Sequence, residues 1–312
     1  MHKETFEPML SHLLSQAQST SAYQIDEIWT WDAVQHGDSA QINASKLRAI
    51  FDWADNTRDI LNFFINYLPE DSAPGSLNLP VHLERVSESI SQLRTKQGFA
   101  DRKIICVGHS FGGASLVLGA YNHPFLFSGL VLVDPVIIPR DYDRSEDLQV
   151  YLSGALGRRQ EWASREEARR LLNAPFFARW DPAVLDSYVE HGMYSTPNGS
   201  VRLKTTGVQE AVVFAESLVT HEAWAVLDKL DEKIALKWIM PGEGGIGTEQ
   251  LAQERVWLRP RNASNVRIAG AGHLAVQEKP REVAEEIYAF LEGSQSGTAQ
   301  PEVCAGRTKA YL

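Results

Sequence analysis

The apolar positions of the chain change period from segment to segment. Phe6, Met9, Leu10, Leu13 and Leu14 recur at helical spacing, so the chain is predicted to open directly in a helix, with no strand before it. Tyr23 to Asp32 alternates and predicts a strand that delivers Asp32 and the loop Gln35 to Ser39. A second helix is expected from Trp53 to Leu68, followed by a loop broken at Pro74-Gly75. Leu83, Val86, Ile90 and Leu93 share one face of a third helix, His82 to Lys96. Ile104 to Val107 is then an unbroken apolar run, the pattern of a strand buried on both faces, and Ala114, Leu116, Val117 and Ala120 suit a helix behind it. Gly129 to Ile138 starts as a second such strand, with Asp134 at the strand's end.

Beyond Ile138 the pattern changes. Residues from Arg140 to about Lys233 are rich in Arg, Glu and aromatics, are helical in period and contain no buried-strand run. Ile234 to Met240 and Asn265 to Ile268 restore the strand pattern, and Val283, Ile287, Phe290 and Leu291 make a closing amphipathic helix. Strands alternating with helices predict an α/β fold with a mostly parallel sheet. The expected organisation is a core in two parts, 1–138 and 234–293, a helical lid at 139–233 inserted after the strand ending at Asp134, and a disordered polar tail at 294–312.

Composition narrows the class. With 312 residues, 44% of them hydrophobic, the chain can bury a substantial core. A formal net charge of −10 leaves no basic stripe for nucleic acid. Two cysteines, Cys106 in a predicted strand and Cys304 in the tail, suit neither a disulfide framework nor a metal site. No signal peptide or apolar run of about eighteen residues is present, so stable membrane insertion is not expected and a cytoplasmic location is.

The candidate chemistry centres on Gly108-His109-Ser110-Phe111-Gly112, a G-x-S-x-G between the predicted strand and helix. Such a turn strains the serine backbone and projects its hydroxyl, and Gly108, Gly112 and Gly113 are expected to supply clearance. Ser110 is therefore the candidate nucleophile, with the Phe111 backbone N–H as an oxyanion donor. A serine needs a base held in one tautomer by an acid. His273, in Gly-Ala-Gly-His after the last strand, is the candidate base. The orienting acid is Asp134, with Glu243 in the loop after the next strand as the alternative. His109 is read as a wall of the site, and Phe176, Phe177, Trp180 and Tyr188, with Trp162 and Tyr194, as flat surfaces for an apolar small-molecule substrate, many of them serving simply as the core of the lid.

The order Ser, Asp, His on this pattern resembles the α/β-hydrolase superfamily over most of the chain. HKETFEP, WDAVQHGDS, GHSFGG, LVLVDPVIIP, WASREEA, VLDSYVEHG and GAGHLAVQEKP resemble fungal toxin-biosynthesis hydrolases of the AK-toxin type, with a yeast peroxisomal lipase-like hydrolase as a relative. The resemblance implies hydrolysis of an ester, lactone or thioester of a secondary-metabolite intermediate, without a cofactor. It also offers a peroxisome as the alternative location, although Ala310-Tyr311-Leu312 lacks the basic residue of that signal. In the family HKETFEP follows a strand and loop that give the second oxyanion donor. By that measure the first three strands are absent, only Met1 and His2 lie near the donor's place, and the alternative is a catalytically impaired, hydrolase-like protein that binds an apolar ligand. The oligomeric state is left open by these patterns.

Overall fold

The structure, a computed structural model, describes residues 1–20, 24–70, 81–172 and 176–295. The chain enters through a 3-10 turn, Lys3–Phe6, into α1 (Glu7–Thr20), then α2 (Gly37–Asn43), α3 (Trp53–Asn62) and α4 (Glu88–Gln97). The unit β1 (Ile105–His109), α5 (Phe111–Asn122) and β2 (Gly129–Val133) follows. Next come α6 (Ser145–Gly157), β3 (Glu161–Trp162), α7 (Arg165–Leu171), α8 (Pro182–His191), β4 (Met193–Ser195), β5 (Val201–Leu203), α9 (Gly207–Ala215) and α10 (Leu218–Leu227). The described chain closes with β6 (Ala235–Pro241), α11 (Glu249–Trp257), β7 (Ala263–Ile268), α12 (Ala275–Glu278) and α13 (Pro280–Gln295).

The main sheet has four strands in the order β1-β2-β6-β7, all parallel. Successive strand residues point to opposite faces, and both faces here are apolar. Val131 and Val133 of β2 pack with Ile239, Val266 and Ile268 under α1 and α13, through Met9, Leu13 and Ile287. Leu130 and Leu132 pack with Leu236 and Trp238 on the other side, against Trp53, Val117, Leu227 and Val256 of α3, α5, α10 and α11. A parallel sheet clad on both sides leaves only its strand ends free for polar chemistry.

Several expectations need correction. Residues 24–32 carry no regular secondary structure and do not join the sheet, and Tyr23 lies outside the described residues. Alternation makes a strand only where a partner edge receives it. Here side chains hold the segment instead: Glu27 pairs with Arg102 at 2.6 Å, Trp31 Nε1 donates to Asn56 at 3.0 Å, and Asp32 accepts from the Lys3 backbone at 2.7 Å. β1 is accordingly only partly buried rather than dry on both faces, and among the described residues no strand pairs with its outer edge. The third helix starts at Glu88 rather than His82, because the Ser87 side chain caps it by accepting from Ile90 N–H. The second helix ends in a π-helical turn, Phe63–Tyr67.

The segment between β2 and β6 carries α6 to α10, yet it also contains a three-stranded antiparallel sheet, β3-β5-β4. Strands of two or three residues are too short to show a period. α11, between β6 and β7, was not expected; Thr248 caps it by accepting from Leu251 N–H. Pro74-Gly75 and the tail from Ser296 on fall outside the described residues. Ser294 and Gln295, expected in the tail, end α13 instead. Among the described residues no helix is long and apolar enough to cross a membrane.

Candidate active site

β1 ends at His109 and α5 begins at Phe111, so Ser110 alone makes the turn. Its φ of 58° and ψ of −127° lie where an L-residue is strained, by about 1–3 kcal/mol. Neighbouring backbone holds the turn: Ser110 N–H donates to the Val133 carbonyl at 3.2 Å, and the Ser110 carbonyl accepts from Gly113 and Val136 N–H, each at 3.1 Å. Two of the three glycines are needed for clearance. A Cβ on Gly108 would stand 2.8 Å from the Gly113 backbone, and one on Gly113 would stand 2.6 Å from Pro135. Gly112 faces open space, contrary to the sequence reading. Phe111 opens α5, so its N–H has no acceptor within the helix.

Asp134 sits one residue beyond β2 with φ 35°, and its side chain is wholly buried. His273, in the loop after β7, donates from Nδ1 to Asp134 Oδ2 at 2.7 Å, and its Nε2 lies 3.1 Å from Ser110 Oγ. With the proton on Nδ1, the Nε2 lone pair faces the serine hydroxyl, which donates to it. Asp134 also accepts from Ile246 N–H at 3.1 Å and faces Arg255 Nη2 at 3.5 Å. Burial pushes the Asp134 carboxyl upward, but the hydrogen bond and charge of His273, with the charge of Arg255, outweigh it and leave the group below the usual carboxylate range. Glu243, the alternative acid, is exposed and pairs with Arg179 at 2.9 Å. The acid that the structure brings to His273 is Asp134.

His109 contacts His273. Its Nε2 donates to the His273 carbonyl at 2.8 Å, and the two rings lie 4.9 Å apart. Burial, reinforced by the neighbouring His273, pushes His109 down to about 3, so its ring is neutral. The predicted substrate aromatics behave differently. Phe177, Trp180 and Tyr188 are buried in a cluster with Trp162, Val184 and Met193, and their ring contacts are with one another, Phe176 and His2. Large rings gain most by burying each other, so these three form the interior of the inserted segment and only Phe176 is exposed. Leu274, next to His273, packs against that cluster. His2 is buried; its ring stacks on Tyr188 at 5.6 Å and its Nδ1 bonds Glu4 at 2.8 Å. The Phe111 ring is packed by His36, Phe51 and Trp53.

Sequence reasoning passed over Arg255. It is fully buried, and its Nη1 donates to the Ile137 carbonyl at 3.1 Å as well as facing Asp134 through Nη2. The available signal was its position: Arg255 lies four residues after Leu251 on the apolar face of α11, between Ala252 and Val256. Burial pushes the Cys106 thiol up to about 12, which keeps it protonated. Among the described residues no group of three or more His, Cys, Asp or Glu could hold a metal ion.

A serine in a strained strand-to-helix turn, a histidine after the last strand and an acid between them, all at the carboxyl ends of a parallel sheet, define an α/β hydrolase. The chain belongs to the alpha/beta hydrolase family, whose model matches residues 2–286. It is 32% identical over 197 residues to the type I acyl-CoA thioesterase mpaH of Penicillium brevicompactum, an alignment that covers 62% of this chain and 38% of that protein. The chain thus spans well under half of that relative's length. It is 34% identical over 222 residues to the abhydrolase domain-containing protein ACTT2-1 of Alternaria alternata, covering 61% of this chain and 83% of that one. Among solved structures, the peroxisomal alpha-beta-hydrolase Lpx1 of Saccharomyces cerevisiae superposes with a TM-score of 0.69 at 21% identity, over 96% of this chain and 76% of that one. That likeness is one of fold.

Two stability predictions arise from this packing. Gly108→Ala and Gly113→Ala should each destabilise by about 1–3 kcal/mol through overpacking, whereas Gly112→Ala should melt at or above the wild-type temperature. Thermal unfolding of the three proteins gives the ranking. Arg255→Met leaves Asp134 short of a buried positive charge and should cost about 3 kcal/mol, while Arg261→Met, at an exposed pair with Glu232, should be nearly silent. Urea titration measures both, and equal midpoints for the two variants would dismiss the Arg255 pairing as a stabilising contact.

Proposed function

We propose that the chain is a serine hydrolase that cleaves an ester, lactone or thioester of an apolar small molecule. The supporting observation is the continuous line Asp134–His273–Ser110, at 2.7 and 3.1 Å, ending on a strained serine. Ser110 Oγ attacks the acyl carbonyl carbon while His273 Nε2 takes its proton. The charge on the carbonyl oxygen is received by the Phe111 N–H, a preorganised donor of the kind that lowers such barriers. His273 then returns the proton to the leaving alcohol or thiol as that bond breaks. Water, deprotonated by the same nitrogen, attacks the acyl-serine, and the proton passes back to Ser110 as the acid is released. Asp134 holds the tautomer and stabilises the imidazolium without taking the proton.

In this reading residues 139–233 form a lid that sets the acyl group. Phe176 is exposed, and Phe177, Trp180 and Tyr188 shape the lid from inside. The thioesterase relative and the sequence resemblance to fungal toxin-biosynthesis hydrolases favour a thioester or ester of a secondary-metabolite intermediate as substrate.

The test uses p-nitrophenyl butyrate, butyryl-CoA and a fluorophosphonate probe. Wild type should be labelled by the probe at Ser110, and Ser110→Ala and His273→Ala should lose both labelling and turnover while remaining folded. Asp134→Asn should lower kcat by about 10³- to 10⁴-fold, far more than Glu243→Gln. Turnover retained by Ser110→Ala would end this mechanism, and a folded wild type that neither labels nor turns over would favour a binding protein.

A further inference from the structure

The loop that presents His273 is short of intrinsic rigidity. It runs Ala269-Gly270-Ala271-Gly272-His273, and Gly270 adopts φ +69° with open space where a Cβ would be. Glycines give the backbone more freedom than any other residue, yet the base must stay aligned, since a displacement of about 1 Å can cost 10²-fold in rate. Contacts from outside the loop must therefore fix it. From within the core, the Glu243 N–H donates to the Ala271 carbonyl at 3.1 Å and His109 donates to the His273 carbonyl at 2.8 Å.

From the other side the inserted segment reaches in. Arg179, two residues before the cap of α8, places one nitrogen, Nη2, 2.7 Å from the Gly270 carbonyl, 2.9 Å from Glu243 Oε1 and 3.1 Å from Glu278 Oε2. Glu278 in turn accepts the Gly272 N–H at 2.8 Å, and its side chain is only 8% exposed. A Cβ on Gly272 would stand 3.7 Å from Arg179 Nη1, which puts the guanidinium directly over the residue before His273. The Asp181 N–H adds a bond to the Gln277 carbonyl at 2.8 Å. One arginine thus ties together the loop after β6, the loop after β7 and α12.

We infer that Arg179 is a positioning residue for His273: by bridging Gly270, Glu243 and Glu278 it makes the inserted segment set the loop that offers the base to Ser110. The inference rests on the assignment of Ser110 and His273 made above. All three contacts fall on one nitrogen whose two N–H bonds are shared among three oxygens, so the positive charge carries much of the bridge and a lysine ammonium, on a more flexible stem, can replace part of it. Arg179 touches neither substrate nor the reacting atoms in this role, so its loss should act on the chemical step more than on binding.

The experiment measures kcat and KM with p-nitrophenyl butyrate for the full chain, well below the melting temperature of each variant and normalised to folded protein. Arg179→Met should lower kcat by about 10- to 100-fold with KM changed less than about threefold, and Arg179→Lys should recover part of the loss. Raising salt from about 0.05 to about 0.5 M should slow wild type and leave Arg179→Met unchanged, because the bridge is partly exposed and screened. The double variant Arg179→Met/Glu278→Gln should be no slower than Arg179→Met, since both act through one bridge. A wild-type kcat in folded Arg179→Met, a loss that Lys does not relieve, or additive losses in the double variant would each overturn the inference. Ser110→Ala, run alongside, separates the two levels: if it is inactive while Arg179→Met is fully active, the nucleophile stands and only the positioning role falls.

Discussion

A carboxylate with no solvent exposure organises this molecule. Asp134 leaves the end of β2 with a left-handed backbone and turns its charge into the space between the sheet and α11. An ionised group there is tolerated only if it is paired and hydrogen-bonded. Three separate pieces of chain converge to do this: the Ile246 N–H from the loop after β6, Arg255 from α11, and His273 from the loop after β7. Each lies more than a hundred residues further along the chain, so satisfying this one side chain pins the carboxyl ends of the sheet to one another.

The same constraint has an electrostatic consequence. Because its folded-state value is depressed, the stability that Asp134 contributes is complete above the unfolded-state value, about 3.9, and is lost as pH falls through the folded one. Across the neutral range the group is therefore anionic and holds the Nδ1 proton of His273. Arg255 adds a compromise: its positive charge keeps Asp134 ionised, yet draws on the negative charge that would stabilise an imidazolium. At 3.5 Å, against 2.7 Å for His273, the arginine is the weaker partner, and the histidine retains the better hydrogen bond.

What the sequence made legible follows from how local each signal is. The turn at Ser110 needs small residues two before and three after it, and Gly108 and Gly113 supply them within one short stretch. His273 follows a strand and two glycines, and Asp134 ends a wholly buried run, so both could be read from their own neighbourhoods. Arg255 could not be read in the same way, because its meaning lies in a partner 121 residues away and its helix otherwise resembles a solvated one. Arg179 was hidden for the same reason. The segment 24–32 failed in the opposite sense: its alternation was real, but strand pairing is a property of two edges and only one was in view. The aromatics of the inserted segment pack with one another, and what their spacing lacked was the direction in which they face.

In the proposed mechanism, ester and thioester make nearly the same demand on the Ser110 site. Both present a carbonyl carbon to the serine and an oxygen to the Phe111 N–H, and both leaving groups are protonated from the same nitrogen. Discrimination among acyl groups must therefore come from what surrounds the reacting atoms, and the inserted segment reaches them by two routes. Leu274 joins its aromatic cluster to the residue beside His273, and Arg179 joins its outer end to the loop before it. A segment that both walls the substrate and grips the base can make recognition count in the chemical step rather than only in binding. That is the arrangement in which binding energy raises kcat. In this chain the loop of His273 is held from the core by His109 and from the insert by Arg179, so in the proposed mechanism the insert would contribute to turnover as well as to selection.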